Sequence, residues 1–217
     1  MVRSIIFCST GFVHPGLLAR ERAYSALRFA AARAGGGPGV EEPAVRHWRG
    51  LRGLSRALVS DADLVVVYIH RRRCSEGIVE RAERYVGRGG RLLALHAATA
   101  SFHGSERWSR LLGGRFLDHG PVGRRVLSRE QSIAAPSERL PRRIELSDEA
   151  YRHEPSVPID VWYRWDDDEP AAWTRGGAGA APTVAYLAAG HRGRVWAHPG
   201  VRAVLSAMIA ALAGAAA

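Results

Sequence analysis

Polar side chains that can do chemistry follow three apolar segments of the chain. The apolar segments cover residues 3–8, 64–69 and 91–95, and the polar residues that follow them are Ser9, Thr10, His70 and His96. Short continuous apolar runs are typical of strands buried on both faces of a parallel sheet. The carboxyl ends of parallel strands meet at one edge, where ligands bind in open α/β sheets, so we predict a polar site there.

Histidine is the reactive residue type in this set. Imidazole has an ordinary pKa of ~6.5, so it exchanges protons at neutral pH with little tuning. We predict that His96 does the chemistry, because the small residues after it leave room for a ligand. Ser9, Thr10, His70 and His14, which lies in the loop after the first apolar segment, are predicted to contact the substrate.

No familiar catalytic motif accompanies these residues. The sequence has no Gly-x-Gly-x-x-Gly after its first strand, no P-loop, no Gly-x-Ser-x-Gly and no His-Glu-x-x-His. His119 is a further candidate for substrate contact. Histidines 14, 70, 96 and 119 are far apart in sequence, so only the fold could assemble them around a metal. A divalent metal therefore stays open.

Helical segments separate the apolar strands. Residues 17–34 have helical composition, and residues 75–86 place apolar side chains on one helical face after a capping serine. Strand, helix, strand, helix and strand at this spacing predict a parallel sheet covered by helices. We predict one α/β domain over residues 1–217.

The second half of the chain is less regular. Strands are predicted at residues 161–165, 183–187 and 194–197, and helices at residues 105–112 and 201–212. The stretch from 120 to 154 is polar and rich in arginine, and its pattern predicts no element.

Composition limits the class of protein and of partner. The net charge is +10, and all 31 basic residues are arginines scattered along the chain, without a nucleic-acid-binding motif. We expect a small-molecule substrate rather than nucleic acid or a membrane, and a cytoplasmic location, because no apolar stretch reaches the ~18 residues of a membrane span. Two cysteines give no disulfide framework. The oligomeric state stays open, a homo-oligomer included.

Several segments resemble the ThuA-like (trehalose utilisation) family. The most specific are RLLALHAATASF at residues 91–102 and LLGGRFLDH at residues 111–119. Asp148-Glu149-Ala150-Tyr151 is similar to the family's acidic-acidic-x-Tyr motif, and residues 182–186 with 190–196 resemble its C-terminal hairpin. The resemblance covers most of residues 60–213.

The resemblance implies a flavodoxin-like parallel sheet related to class I glutamine amidotransferases. Those enzymes carry a nucleophilic cysteine in the turn where this chain has His96, so glutamine hydrolysis is not expected. Family members are linked to the use of disaccharides and 3-keto sugars, and some hold a metal among histidines. The resemblance thus implies a sugar-like substrate and leaves a metal cofactor open.

Acid–base chemistry on a sugar-like molecule is the leading functional hypothesis. It needs a base and an acid near a substrate oxygen or an acidic carbon–hydrogen bond. His96 is predicted as the base, Glu149 as the second choice, and Tyr151 as a donor to a developing oxyanion. Two alternatives are a metal-dependent hydrolase or lyase that uses some of the four histidines, and a non-catalytic binding or scaffold protein.

One departure from the family bears on these alternatives. After its last strand the family usually has a Gly-His segment and several more residues before the terminal helix. If residues 194–197 are that strand, the chain runs almost directly into His198-Pro199. On this interpretation the loop and its histidine are missing.

Overall fold

A large mixed sheet flanked by helices forms the body of the molecule. The computed structural model describes residues 2–10, 16–34, 41–130, 140–176 and 181–214. In chain order its strands and α-helices are β1 (Ser4–Ser9), α1 (Leu17–Ala34), β2 (Ala44–Arg49), α2 (Gly50–Ala57), β3 (Leu64–Tyr68), α3 (Glu76–Gly87), β4 (Arg91–Leu95), α4 (Glu106–Leu112), β5 (Gly114–His119), β6 (Gly123–Arg129), β7 (Arg143–Asp148), β8 (Tyr151–Pro155), β9 (Asp160–Arg164), β10 (Pro170–Arg175), β11 (Val184–Leu187) and α5 (Pro199–Leu212).

The parallel half of the sheet contains the three apolar segments. Within the described residues the main sheet has the strand order β2-β1-β3-β4-β11-β10-β9-β6-β7. The pairs from β2 to β11 are all parallel. Ser9 pairs with Tyr68, and Val67 pairs with Ala94, so these strands end at a common edge. The predicted parallel sheet and its three central strands are confirmed.

The antiparallel half includes two strands, β6 and β7, from the stretch that predicted no element, and β9, which matches the strand predicted at residues 161–165. Strands β10, β9, β6 and β7 extend the main sheet, and β5 pairs with β8 in a separate two-stranded sheet. In β7 the side chains alternate, with Ile144, Leu146 and Asp148 buried and the intervening residues more exposed. A polar or charged residue fills every second position, so the stretch is too polar for an apolar run to stand out.

The predicted strand at residues 194–197 is wrong. Gly193–Ala197 forms a 3-10 helical turn, in which Val195 and Trp196 are buried. The Trp196 ring packs edge-on against Tyr68, with centroids 5.5 Å apart. A Cβ on Gly193 would lie 3.0 Å from the Arg22 side chain in α1, so the turn approaches that helix closely. The last strand of the chain is therefore β11.

Two groups of helices cover the sheet. Helix α1 packs against α5, and α3 packs against both α2 and α4. Side chains from α1, α3 and α5 contribute to the apolar core around β1, β3 and β4. The helices predicted from residues 17, 75, 105 and 201 are all present. No helix in the described part of the chain is long and apolar enough to cross a membrane.

Candidate functional site

His96 occupies a strained turn at the end of β4. It opens the 3-10 turn His96–Ala98 with a φ of +46°, in the left-handed region that residues other than glycine seldom adopt. Its side chain is fully buried. Strained backbone of this kind is concentrated at functional sites, because the surrounding structure must hold it in place.

The hydrogen bonds of His96 fix its tautomer. Nδ1 lies 2.8 Å from the carbonyl oxygen of Ala188, which can only accept, so Nδ1 carries the proton. In the neutral ring Nε2 then carries a lone pair that can accept a hydrogen bond. The Tyr151 hydroxyl lies 3.1 Å from Nε2 and donates to it. His96 thus presents a basic nitrogen to Tyr151.

Tyr151 stands between His96 and the outside. It begins β8, is 2% exposed, and its ring lies 4.5 Å from the His96 ring. Burial raises the pKa of Tyr151 above its ordinary value, so the phenol keeps its proton at neutral pH. Its ring also stacks on His119, with centroids 5.4 Å apart.

Glu149 lies among three histidines. Its Oε2 is 3.8 Å from His96 Nε2 and 3.2 Å from His191 Nδ1, and its Oε1 is 3.7 Å from His119 Nδ1. The carboxylate is 7% exposed overall. The side-chain interaction with Glu149 raises the pKa of His191, against the lowering effect of burial. The carboxylate therefore favours a protonated His191.

Asp148 holds the turn that carries His191. It is fully buried and accepts backbone N–H bonds from Gly190 at 2.6 Å and from His191 at 3.1 Å. Burial raises the pKa of Asp148 to about 6, and these hydrogen bonds oppose that effect. Gly190 has a φ of +147°, and a Cβ there would lie 2.4 Å from the Trp196 ring. Only glycine fits this turn, which places His191 beside Glu149.

The site opens into a cleft of about 490 Å³. Tyr151, Glu149 and His191 form its floor, and the residues around them are His70, Arg72, Ala100, His103, Phe116, Leu117, Asp118 and His119. His96 is not among the lining residues, because Tyr151 covers it. The volume lies within the ~300–1,000 Å³ range of small-molecule sites.

The other residues predicted from the sequence lie at different distances from this cleft. His70 and His119 line it. Thr10 is buried beneath His70 and accepts its backbone N–H at 3.2 Å. Ser9 is fully buried and bonds to His47 Nε2 at 2.8 Å instead. His14 lies outside the described residues.

One protein family matches most of the chain. The family model ThuA, described as trehalose utilisation, matches residues 44–210. The chain belongs to the ThuA family.

Solved structures show the same fold. A ThuA-like protein from Bacteroides uniformis ATCC 8492 is 13% identical with a TM-score of 0.75, covering 96% of this chain and 90% of that chain. One from Parabacteroides merdae ATCC 43184 is 18% identical with a TM-score of 0.71, covering 97% and 90%. A GMP synthase protein from Thermoplasma acidophilum is 10% identical with a TM-score of 0.59, covering 99% and 96%. No curated protein matches the chain.

The Gly-His segment that the ThuA resemblance calls for is present. Gly190-His191 follows β11, the last strand, and seven residues separate His191 from Pro199 at the start of α5. The interpretation of a shortened loop near His198 is wrong, because it depended on a strand at residues 194–197. His198 instead caps α5 by accepting the backbone N–H of Gly200 at 3.1 Å.

His191 and Asp148 are the site residues that sequence reasoning missed. For His191 a signal existed, since Gly190-His191 follows the apolar run at residues 184–189 as His70 and His96 follow theirs. For Asp148 the acidic-acidic-x-Tyr motif included the residue, but the sequence alone assigned a role only to Glu149 and Tyr151. Its buried bond to the Gly190 turn depends on the tertiary fold.

Three of these side chains have the geometry of a metal site. One ligand atom from each of His96, Glu149 and His191 can be chosen so that all lie within 4.8 Å of one another. His96 donates a hydrogen bond from its other ring nitrogen, Nδ1, to the Ala188 carbonyl oxygen, as metal-binding histidines usually do. Two imidazoles and a carboxylate suit zinc and other divalent transition metals. The set fits such an ion and differs from the four histidines considered from the sequence.

Proposed function

We propose that this ThuA-family protein is an enzyme that transforms a sugar-like small molecule by acid–base chemistry in the cleft. The observation that carries the proposal is the hydrogen bond from the Tyr151 hydroxyl to His96 Nε2 at 3.1 Å, made by a tyrosine that lines the cleft. A buried phenol with a basic nitrogen behind it is a proton-transfer pair.

The pair works as a relay. When the Tyr151 oxygen takes a proton from a substrate hydroxyl or an activated carbon–hydrogen bond, the phenol proton passes to His96 Nε2. The tyrosine stays neutral and the charge appears as an imidazolium, which Glu149 stabilises from 3.8 Å. His96 then acts as the base through Tyr151, and the reverse transfer protonates a leaving group or product.

Glu149 supplies a second proton-transfer group at the floor of the cleft. It lines the cleft beside Tyr151 and interacts with His119 and His191. Acid and base groups on one floor suit isomerisation, elimination or hydrolysis of a polyhydroxy compound. The histidine, arginine and carboxylate side chains in the lining and the family's description support a sugar-like substrate.

Turnover of a panel of disaccharides and 3-keto sugars tests the proposal. Tyr151→Phe removes only the phenol oxygen and should lower turnover by ~10²–10⁴-fold, the range of a proton-transfer group. Tyr24→Phe is the matched control, because the Tyr24 hydroxyl bonds to the Val45 carbonyl oxygen, and neither residue lines the cleft. Equal activity of the Tyr151→Phe and Tyr24→Phe variants would refute the relay.

A metal-dependent hydrolase or lyase is the second candidate function. The grouping of His96, Glu149 and His191 within 4.8 Å favours it. A bound divalent ion would polarise a substrate oxygen or lower the pKa of a water molecule. Because an ion on Nε2 excludes the Tyr151 hydrogen bond, the two candidate functions use His96 in different ways.

Elemental analysis separates the two candidates. Protein purified without a nickel column should contain about one equivalent of metal if the second is correct, and His191→Ala should lose it. Full turnover by metal-free protein would exclude the metal-dependent function and support the acid–base relay. The main sequence argument for a non-catalytic scaffold was a missing Gly-His segment. That argument no longer applies, because Gly190-His191 follows the strand β11.

A further inference from the structure

Two loops form one wall of the cleft above Tyr151. The loop after β3 contributes His70 and Arg72, and the loop after β4 contributes His103. The acid–base relay does not use these three side chains. Each has nitrogen donors, and Arg72 carries a permanent positive charge.

Hydrogen bonds join the two loops into one unit. The Phe102 N–H donates to the Arg71 carbonyl oxygen at 2.6 Å, and the His103 N–H to that of Arg72 at 3.0 Å. Ser101 Oγ accepts the Arg71 N–H at 3.1 Å and donates to the Ile69 carbonyl oxygen, also at 3.1 Å. The backbones of Arg72 and His103 are thus fixed relative to each other.

The second loop stores strain at the residue before His103. Phe102 is buried and has a φ of +54°, which is unfavourable for a bulky aromatic residue. Its ring packs on Trp108 with centroids 5.1 Å apart, and this contact holds the strained backbone. His103, the next residue, lines the cleft.

The charge of this wall is positive and unbalanced. Asp118, the acidic residue on the cleft rim, is held by Arg152, whose Nε lies 2.6 Å from Oδ1. Among the described residues no acidic side chain forms an ion pair with Arg72. Burial and the Arg72 charge lower the pKa of His70, while Glu149 raises it.

We propose that Arg72, His103 and His70 bind an oxyanion of the substrate, a phosphate or a carboxylate, while its reacting carbon lies at Tyr151. This proposal rests on the proposed function for the identity of the site and specifies the substrate as a charged sugar derivative. A guanidinium recognises phosphate and carboxylate with two parallel hydrogen bonds. The net charge of +10 also attracts anions to the cleft.

Calorimetric titration with three matched sugars tests the oxyanion site. Glucose 6-phosphate and glucuronate are the charged probes, and glucose is the neutral one. We expect at least one charged probe to bind ~10–100-fold more tightly than glucose, the fold-change of a charge-assisted hydrogen bond. The stronger of the two charged probes identifies phosphate or carboxylate as the preferred group.

Arg72→Gln and Arg73→Gln form the matched pair of variants. Both arginines are exposed, but only Arg72 lines the cleft. Arg72→Gln should remove the ~10–100-fold preference and leave glucose binding unchanged, whereas Arg73→Gln should keep the preference. Failure of both charged probes to bind more tightly than glucose, or equal losses in the two variants, would overturn the oxyanion site.

The titration also separates this proposal from the proposed function. Tyr151→Phe removes the relay without touching the wall, so it should keep the preference for the charged probe over glucose. Charged probes that bind at Arg72 while Tyr151→Phe leaves turnover intact would keep the oxyanion site and refute the relay. If Tyr151→Phe abolishes sugar turnover and the wild type shows no preference for a charged probe, the relay is kept and the oxyanion site is refuted.

Discussion

Replacing His96 with asparagine removes the Nε2 atom and keeps most of what holds the turn. The asparagine amide can donate to the Ala188 carbonyl oxygen, as Nδ1 does at 2.8 Å. Asparagine is also among the few residues that adopt a left-handed backbone readily, as the φ of +46° requires. The variant therefore tests the basic nitrogen with little change to the backbone.

The expected cost in stability is small beside the expected cost in rate. The variant loses the bond to Tyr151, worth about 1 kcal/mol, and a ring contact of about 0.5–1.5 kcal/mol. A loss of about 2 kcal/mol lowers Tm by roughly 4–8 °C in a chain of this size. Turnover should fall by ~10²–10⁴-fold, which is about 3–5 kcal/mol in the barrier.

Alanine at the same position gives the matched comparison. His96→Ala loses both side-chain hydrogen bonds and places an unsuited residue in a left-handed turn, at a further cost of about 1–2 kcal/mol. Thermal melts should therefore rank the variants as wild type, asparagine and alanine, while the asparagine and alanine variants have similar low turnover. An asparagine variant with full turnover would make His96 structural. One no more stable than the alanine variant would show that the hydrogen bond to the Ala188 carbonyl oxygen does not stabilise the turn.

Three further outcomes are expected. Burial lowers the pKa of His153 to about 3, so the unfolded chain binds a proton at a higher pH than the folded protein does. The free energy of unfolding should therefore fall by up to ~1.4 kcal/mol per pH unit below pH ~6.5. Urea unfolding from pH 7.5 to 4.5 should show a steeper loss for the wild type than for His153→Gln. Asp148→Asn, which can accept only one of two buried N–H bonds well, should lose about 1–3 kcal/mol in the same assay. Burial raises the pKa of the Cys8 thiol to about 12, so replacing Cys8 and Cys74 by alanine should change turnover less than about tenfold, ~1.4 kcal/mol in the barrier.

The sequence predicted those parts of the fold whose signal is local. The β3 and β4 segments are apolar along almost their whole length because helices cover both faces of the sheet. Their ends therefore located His70 and His96 correctly at one edge. In β7 every second residue is charged or polar, and β6 contains three arginines, so residues 120–154 lacked a comparable signal.

The candidate site depended on the resemblance and on the tertiary fold. Glu149 and Tyr151 follow a strand that was not predicted, so only the acidic-acidic-x-Tyr motif singled them out. Sequence reasoning misses His191 because the apolar pair Val195-Trp196 predicts a strand, whereas the pair lies in a 3-10 turn whose Trp196 ring packs on Tyr68. Local composition cannot distinguish a short buried turn from a short strand.

Both halves of the sheet contribute residues to the site, and each half contributes a different part of it. The parallel half fixes His96 in its strained turn, and β11 beside it presents Ala188 to Nδ1. The antiparallel half brings Glu149 and Tyr151 onto Nε2 from the segment after β7. The parallel half thus fixes the backbone and tautomer of His96, and the segment after β7 supplies its side-chain partners Glu149 and Tyr151. A substitution that changes how the parallel and antiparallel halves of the sheet pack should therefore affect turnover more than it affects the stability of the parallel core.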